Sequence, residues 1–289
     1  MAKQTVPFTT HTVTSKDGTP IAYDRLGHGP PLLWVGGALS LRRSSFVRPW
    51  VNALAEHFTV YNYDRRGRAE SGDTQPYAVQ REIEDLAAVA KAAGGSPFVL
   101  GLSSGAALAL EAAAAGVPMV GLAVYEPPYA VGNPKGRPDD DYEEKVTALI
   151  AQGRRDDALK YFMRTVGVPG FFVALMRLMP FWKDMRRVAH TLPYDAACMN
   201  QFHVPQERLA RIRVPTTVMS GGKSPELLVT GAAGAAKAVP GARLRVLPGQ
   251  THNVRANALA PAVVEAFLGP GAGRGPETAR TVATAGERT

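Results

Sequence analysis

Short apolar runs recur along the chain and alternate with stretches of helical periodicity. The apolar runs are residues 31–35, 58–63, 97–100, 120–125, 216–219 and 243–247. Strands that are buried on both faces of a parallel sheet are apolar runs of this length, whereas half-buried strands alternate apolar and polar residues. Helical patterns lie between the runs, for example at 82–93 and 105–115. The chain is therefore predicted to form an α/β fold, in which a mainly parallel sheet is covered by helices on both faces.

Two segments depart from this alternation. Residues 12–23 alternate polar and apolar side chains around Asp17-Gly18, which predicts a β-hairpin. Between Pro127 and Pro205 there is no strand pattern, and helices are predicted instead at 140–152, 156–166, 170–179 and 181–192. A helical insertion between two core strands is the simplest explanation.

The chain is accordingly divided into three parts. Residues 1–128 and 206–268 form the predicted core, residues 129–205 a helical cap inserted after the sixth strand, and residues 269–289 a disordered tail that is poor in large apolar residues. The cap carries unusually bulky apolar residues, which are Phe162, Met163, Phe171, Phe172, Met176, Met179, Phe181, Trp182 and Met185. At helical spacing such residues pack against the domain below more often than they line a ligand site, but some are expected to face a cavity under the cap.

Charge and cysteine content argue against several classes of function. The net charge is +8, but basic and acidic residues are interleaved along most of the chain and no nucleic-acid-binding motif is present, so no nucleic-acid partner is predicted. The single cysteine, Cys198, cannot form an internal disulfide, and no Cys/His cluster has metal-ligand spacing. No window approaches the roughly 18 apolar residues of a membrane span, and the N-terminal residues lack the apolar stretch of a secretory signal. We predict a cytoplasmic protein without a metal, a cofactor or a membrane partner.

The pentapeptide Gly101-Leu102-Ser103-Ser104-Gly105 lies between the apolar run at 97–100 and an Ala-rich helix. A tight strand-to-helix turn holds its central residue in strained backbone geometry, and only small neighbours fit beside it. Such a turn lifts the Ser103 hydroxyl above the edge of the sheet. Gly and Ser are also common in ordinary turns, so it is the strand before and the helix after that favour a nucleophile here.

A serine hydroxyl needs an adjacent base to take its proton, and His252 is the candidate. It follows the last apolar run and precedes the final helix, which places it at the same edge of the sheet as Ser103. No comparable position is held by the other five histidines, which are His11, His28, His57, His190 and His203.

With these two segments the chain resembles the α/β-hydrolase superfamily, over about residues 12 to 268. The resemblance implies a mostly parallel sheet of the eight-stranded type. The segment Trp-Val-Gly-Gly-Ala at 34–38 occupies the loop in which family members supply an oxyanion-hole N–H. The resemblance therefore implies the N–H groups of Gly37 and Ser104 as the two donors that would stabilise a tetrahedral intermediate. Most relatives have histidine where this chain has Val35.

A charged segment carries the resemblance further. Residues 64–72, Asp-Arg-Arg-Gly-Arg-Ala-Glu-Ser-Gly, are similar to the family's Asp-x-Arg-Gly-x-Gly-x-Ser turn, with Ala69 in place of the second glycine. We predict a structural role, in which Asp64 and Arg66 brace a buried loop by charged hydrogen bonds.

The acid of the triad departs from the family pattern. In most relatives an Asp follows the seventh strand, where this chain has Ser224, and a serine cannot stabilise an imidazolium as a carboxylate does. Glu126 closes the sixth strand, where some members, including certain haloalkane dehalogenases, carry the acid, and it is the predicted substitute. The alternatives are that Glu126 only braces the hinge of the cap, that Glu226 is the acid after a shift of the loop, or that no acid is present.

The resemblance implies a serine hydrolase that cleaves a carboxylic ester, lactone or related acyl compound, with Ser103, His252 and Glu126 as the triad. The bulky cap residues indicate a small, lipophilic acyl substrate. Dehalogenase and epoxide-hydrolase activities are disfavoured, because those members use an Asp nucleophile. Acyl transfer, cofactor-free lyase or cyclase chemistry on the same scaffold, and a non-catalytic receptor for a small ligand are the alternative functions.

Overall fold

The computed structural model describes residues 6–132 and 136–270, and its centre is an eight-stranded sheet. The strand order is β1-β2-β4-β3-β5-β6-β7-β8. The strands are β1 (Phe8–Thr14), β2 (Pro20–Gly27), β3 (Pro31–Val35), β4 (Thr59–Tyr63), β5 (Phe98–Leu102), β6 (Gly121–Tyr125), β7 (Thr216–Gly221) and β8 (Arg243–Leu247). β1 and β2 are antiparallel to each other, and β2 is antiparallel to β4, whereas all pairings from β4 through β8 are parallel.

Each of the six apolar runs forms one strand of the parallel part, with bounds that shift by at most two residues. Along β3, Leu33 and Val35 pack into the core on one face, and Leu32 and Trp34 pack into the core on the other. The run at 243–247 is an exception to the predicted burial. It forms β8 at the edge of the sheet, where Leu244 and Val246 are half exposed, because this strand has a neighbour on one side only.

Helices cover both faces of the sheet, as predicted. One face packs against α1 (Arg48–Leu54) and α11 (Ala256–Leu268), and the other against α2 (Val79–Ala92), α3 (Ser104–Ala114) and α10 (Glu226–Ala238). The predicted hairpin is also present. It joins β1 and β2 by a loop in which Gly18 has a φ of +88°, a conformation that favours glycine over residues with a side chain.

The chain between β6 and β7 is helical in its described part and forms no strand there. Its helices are α4 (Tyr142–Ala151), α5 (Arg155–Thr165), α6 (Gly170–Met176), α7 (Pro180–Val188), α8 (Leu192–Cys198) and α9 (Gln206–Leu209). The single helix predicted at 181–192 is wrong at its C-terminal end. After α7 the chain makes a short 3₁₀ turn and then begins α8, because Pro193 lacks an N–H and is tolerated only in the first turn of a helix.

This helical insertion shares its core with the sheet. Val146, Leu159 and Trp182 belong to the same buried cluster as the residues that α2 and α3 turn toward the sheet. The bulky residues divide between core and surface, since Met163 is also buried, whereas Phe171 is 68% exposed. The division into a core and a cap at 129–205 stays a prediction, and the predicted tail at 269–289 lies outside the described residues from position 271 onward. In the described ranges no helix combines the length and the apolar character that a membrane span needs.

The charged turn at 64–72 is buried in its first part, at residues 64–66, and exposed at Glu70. The carboxylate of Asp64 accepts a hydrogen bond from the backbone N–H of Arg42 at 2.8 Å and is ion-paired with the Arg42 guanidinium. Arg66 instead donates two hydrogen bonds to Asp85 of α2, at 2.7 and 2.8 Å. Asp64 and Arg66 therefore both brace the turn by charged hydrogen bonds, as predicted, but they do so through Arg42 and Asp85, because the two side chains leave the turn toward different elements.

Candidate active site

Ser103 occupies the turn between β5 and α3 and has a strained backbone. Its φ of 55° and ψ of −125° lie in a region that residues with a side chain rarely adopt. Such a conformation costs on the order of 1–3 kcal/mol and persists only where the surrounding structure enforces it. Here the N–H of Ser103 donates to the carbonyl oxygen of Tyr125 on β6 at 3.0 Å, and the helix begins at the next residue. The half-buried Ser103 side chain is therefore held at the C-terminal edge of the parallel strands.

The two glycines that flank Ser103 are required by close backbone approach. A Cβ at Gly105 would lie 2.3 Å from the carbonyl oxygen of Val35, and a Cβ at Gly101 would lie 2.5 Å from the carbonyl oxygen of Gly105. Both contacts are with backbone atoms, which cannot move aside as a flexible side chain can. The absence of side chains at these positions lets α3 start directly against the end of β3.

This approach places the loop after β3 against the turn that carries Ser103. A Cβ on Gly37 would lie 3.1 Å from the Cβ of Ser103. Ser104 is the first residue of α3, so its N–H has no acceptor within the helix. The N–H groups predicted as oxyanion donors thus belong to two backbone segments that lie side by side next to Ser103.

His252 and Glu126 are joined by a short hydrogen bond. Nδ1 of His252 lies 2.7 Å from one carboxylate oxygen of Glu126, and the other oxygen accepts a hydrogen bond from the N–H of Gly221 at 2.7 Å. Glu126 is fully buried and has a φ of 50°, so the chain bends sharply where β6 ends. With Nδ1 engaged by the carboxylate, Nε2 is the ring nitrogen left to act as a base.

The loop that carries His252 is anchored on both sides of the histidine. The hydroxyl of Tyr125 donates to the carbonyl oxygen of Thr251, and the indole N–H of Trp50 donates to that of Val254, both at 2.7 Å. Side chains from β6 and from α1 therefore hold the backbone on both sides of His252.

The structure also places the alternatives to Glu126. Glu226 is an exposed residue at the start of α10, whereas Nδ1 of His252 is bound to Glu126.

Among the described residues no hydrogen bond joins the Ser103 hydroxyl to His252, and catalytic hydrogen bonds are often long before a substrate binds. Within those same residues, no group of three or more His, Cys, Asp or Glu side chains is arranged to hold a metal ion.

A buried charged cluster beside the site was missed from the sequence. Arg65 and Arg68 of the charged turn both bind Asp195 of α8, and all three side chains are at most 2% exposed. Burial by itself would raise the pKa of Asp195, but the charges of Arg68 and Arg65 outweigh it and hold that pKa below its usual range. The turn was recognisable as a motif, but nothing near Asp195 in the sequence points to partners about 130 positions away.

Comparison with known proteins finds α/β hydrolases by sequence and by structure. A sequence model described as the alpha/beta hydrolase family matches residues 28–267. An alpha/beta hydrolase from Sphaerobacter thermophilus DSM 20745 is 54% identical, with a TM-score of 0.82, and the match covers 89% of this chain and 100% of that one. An esterase from Rhodococcus sp. ECU1013 has 19% identity, a TM-score of 0.66 and coverage of 88% and 96%. An enol-lactonase from Burkholderia xenovorans LB400 has 22% identity, a TM-score of 0.64 and coverage of 91% and 100%; these last two likenesses concern the fold alone.

The close approach of α3 to β3 predicts that Gly105→Ala is strongly destabilising. The new methyl group would overlap the carbonyl oxygens of Val35 and Gly36, so we expect a loss of about 1–3 kcal/mol or more in the free energy of unfolding. Gly170→Ala is the matched control, because a Cβ there meets only the end of the Arg164 side chain at 3.9 Å, and its effect should stay within about 1 kcal/mol. Urea denaturation measures both, and equal stability of the two variants would contradict the packing described here.

Proposed function

The chain belongs to the α/β-hydrolase family, and we propose that it is a serine hydrolase of carboxylic esters or lactones. The fold class predicted from the sequence is confirmed by this membership. The observation that carries the proposal is the hydrogen bond of 2.7 Å between His252 and the buried Glu126, because it supplies the carboxylate that the usual position, Ser224, lacks. The strained turn at Ser103 supports the same conclusion.

In the proposed mechanism the Ser103 oxygen attacks the carbonyl carbon of the substrate while Nε2 of His252 takes the hydroxyl proton. The carboxylate of Glu126 accepts the hydrogen bond from Nδ1–H, which fixes the productive tautomer and stabilises the imidazolium that forms. The N–H groups of Gly37 and Ser104 would donate to the negative oxygen of the tetrahedral intermediate, and losing one such donor commonly costs about 100- to 1,000-fold in kcat.

The intermediate then collapses to an acyl-enzyme on Ser103. The imidazolium of His252 returns its proton to the leaving alcohol, so that one ester bond is exchanged for another. Water attacks the acyl carbon in the second half of the reaction, with His252 again as the base, and releases the carboxylic acid. The overall reaction consumes one ester and one water and yields one acid and one alcohol.

The substrate class follows from the same site and from the insertion beside it. An acyl group attached to Ser103 needs a carbonyl substrate, and apolar walls with few polar groups favour a small, lipophilic acyl part. Three apolar side chains of the insertion are only partly buried and pack at the margin of the core, so part of their apolar surface remains accessible. They are Phe162, Met176 and Met185. We propose a small apolar ester or lactone as the substrate.

A fluorophosphonate probe tests whether Ser103 is an activated nucleophile. The wild-type protein should be labelled and should hydrolyse p-nitrophenyl esters, and Ser103→Ala should lose both properties because the attacking oxygen is removed. Ser224→Ala is the matched control and should keep both, since this serine lies on the loop after β7 and is assigned no chemical role. A wild-type protein that is neither labelled nor active would contradict the hydrolase function and favour a receptor.

The identity of the triad acid is tested by comparing Glu126→Gln with Glu226→Gln. The amide introduced by Glu126→Gln can still accept a hydrogen bond from Gly221 but cannot hold His252 in the same tautomer, so kcat should fall by about 100- to 10,000-fold. Glu226→Gln should keep normal turnover. Thermal unfolding of both variants checks that folding is intact.

Either of two results would remove Glu126 from the triad. Near-normal turnover in a folded Glu126→Gln protein would show that the carboxylate is not needed, and a large loss in Glu226→Gln alone would assign the acid to the loop after β7.

A further inference from the structure

Four buried charged side chains form a cluster beside the turn that carries Ser103. Arg65 donates two hydrogen bonds to Glu82 of α2, each of 2.6 Å, and one of 2.7 Å to Asp195 of α8. Arg68 donates to both carboxylate oxygens of Asp195 at 2.8 Å. Two guanidinium groups and two carboxylates balance each other in charge, which lets a set of side chains that are at most 2% exposed remain ionised inside the protein.

Asp195 lies in the helical insertion, but its contacts reach both segments that carry the proposed oxyanion donors. The hydroxyl of Ser104 donates to Asp195 Oδ1 at 2.7 Å. Arg68, which Asp195 holds by two hydrogen bonds, donates in turn to the carbonyl oxygen of Gly37 at 2.7 Å. One carboxylate therefore tethers Ser104 directly and Gly37 through a single guanidinium.

We infer that Asp195 is a positioning residue for the oxyanion hole, supplied by the insertion to fix the Gly37 loop and Ser104 relative to each other. This inference rests on the proposed function. Oxyanion donors must lie about 2.7–3.1 Å from the developing charge, and a misplacement of about 1 Å can cost on the order of 100-fold in rate. Both donors are backbone N–H groups, so their positions depend on how the Gly37 loop and the start of α3 are held relative to each other.

A second buried ion pair of the protein, between Asp85 and Arg66, has no hydrogen bond to the segments that carry the proposed oxyanion donors. Asp85 of α2 is 1% exposed and binds Arg66 through two hydrogen bonds, much as Asp195 binds Arg68. The hydrogen bonds of that pair reach neither Gly37 nor Ser104; Arg66 donates besides to Asp17 and to the carbonyl oxygen of Arg81. Asp85→Asn is therefore a matched control, since it removes a comparable buried charge without touching the proposed oxyanion donors.

The test compares the steady-state kinetics of Asp195→Asn and Asp85→Asn with those of wild type on one p-nitrophenyl ester. Asp195→Asn should lower kcat by about 10- to 100-fold and change KM little, because the donors act on the transition state more than on the bound ester. Its affinity for a trifluoromethyl ketone, which forms a tetrahedral adduct with an activated serine, should fall by a similar factor. Asp85→Asn should keep kcat within about twofold, even if its melting temperature drops.

Ser104→Ala provides a milder variant in case Asp195→Asn does not fold. It deletes the hydroxyl that binds Asp195 and keeps the backbone N–H, and it should lower kcat by about tenfold at unchanged KM. Normal kcat in Ser104→Ala, or equal losses in folded Asp195→Asn and Asp85→Asn, would overturn the positioning role while leaving the hydrolase function in place. A wild-type protein that neither turns over esters nor reacts with a fluorophosphonate overturns the proposed function, and this inference with it.

Discussion

The site depends on the contact between the first turn of α3 and the backbone at the end of β3. Gly105 lies so close to the carbonyl oxygens of Val35 and Gly36 that no side chain fits between them. Because this approach is made by backbone atoms, it brings Ser103, the helix start at Ser104 and the Gly37 loop next to one another. The positive φ of Ser103 is the cost of placing a serine between a strand and a helix that meet at so short a distance.

Electrostatics then complete what this backbone contact begins. Glu126 is fully buried, and its carboxylate is satisfied by the N–H of Gly221 on one oxygen and by His252 on the other. Asp195 is buried as completely, but it is stabilised by two guanidinium groups. A buried carboxylate without such partners would be protonated or would turn toward solvent. Both carboxylates can therefore be buried in the ionised form because the strands and the insertion place their partners beside them.

The sequence was most informative where chemistry or packing is local. The apolar runs predicted the parallel strands within two residues, and the small residues around Ser103 predicted a turn that the backbone angles display. Contacts between distant parts of the chain were harder to predict. Asp64 pairs with Arg42 rather than with Arg66, and Asp195 meets Arg65 across about 130 positions, which no local pattern encodes. The helix boundary at Pro193 was also not predicted, because the periodic apolar pattern continues across the end of one helix and the start of the next.

The proposed function requires that Ser103 becomes acylated during turnover. An aryl carbamate that acylates serine and is released slowly should load the protein with one carbamoyl group, and mass spectrometry of proteolytic fragments should find that group on the peptide that contains Ser103. Ester turnover by a protein in which this peptide stays unmodified, or in which another residue carries the group, would show that Ser103 is not the nucleophile.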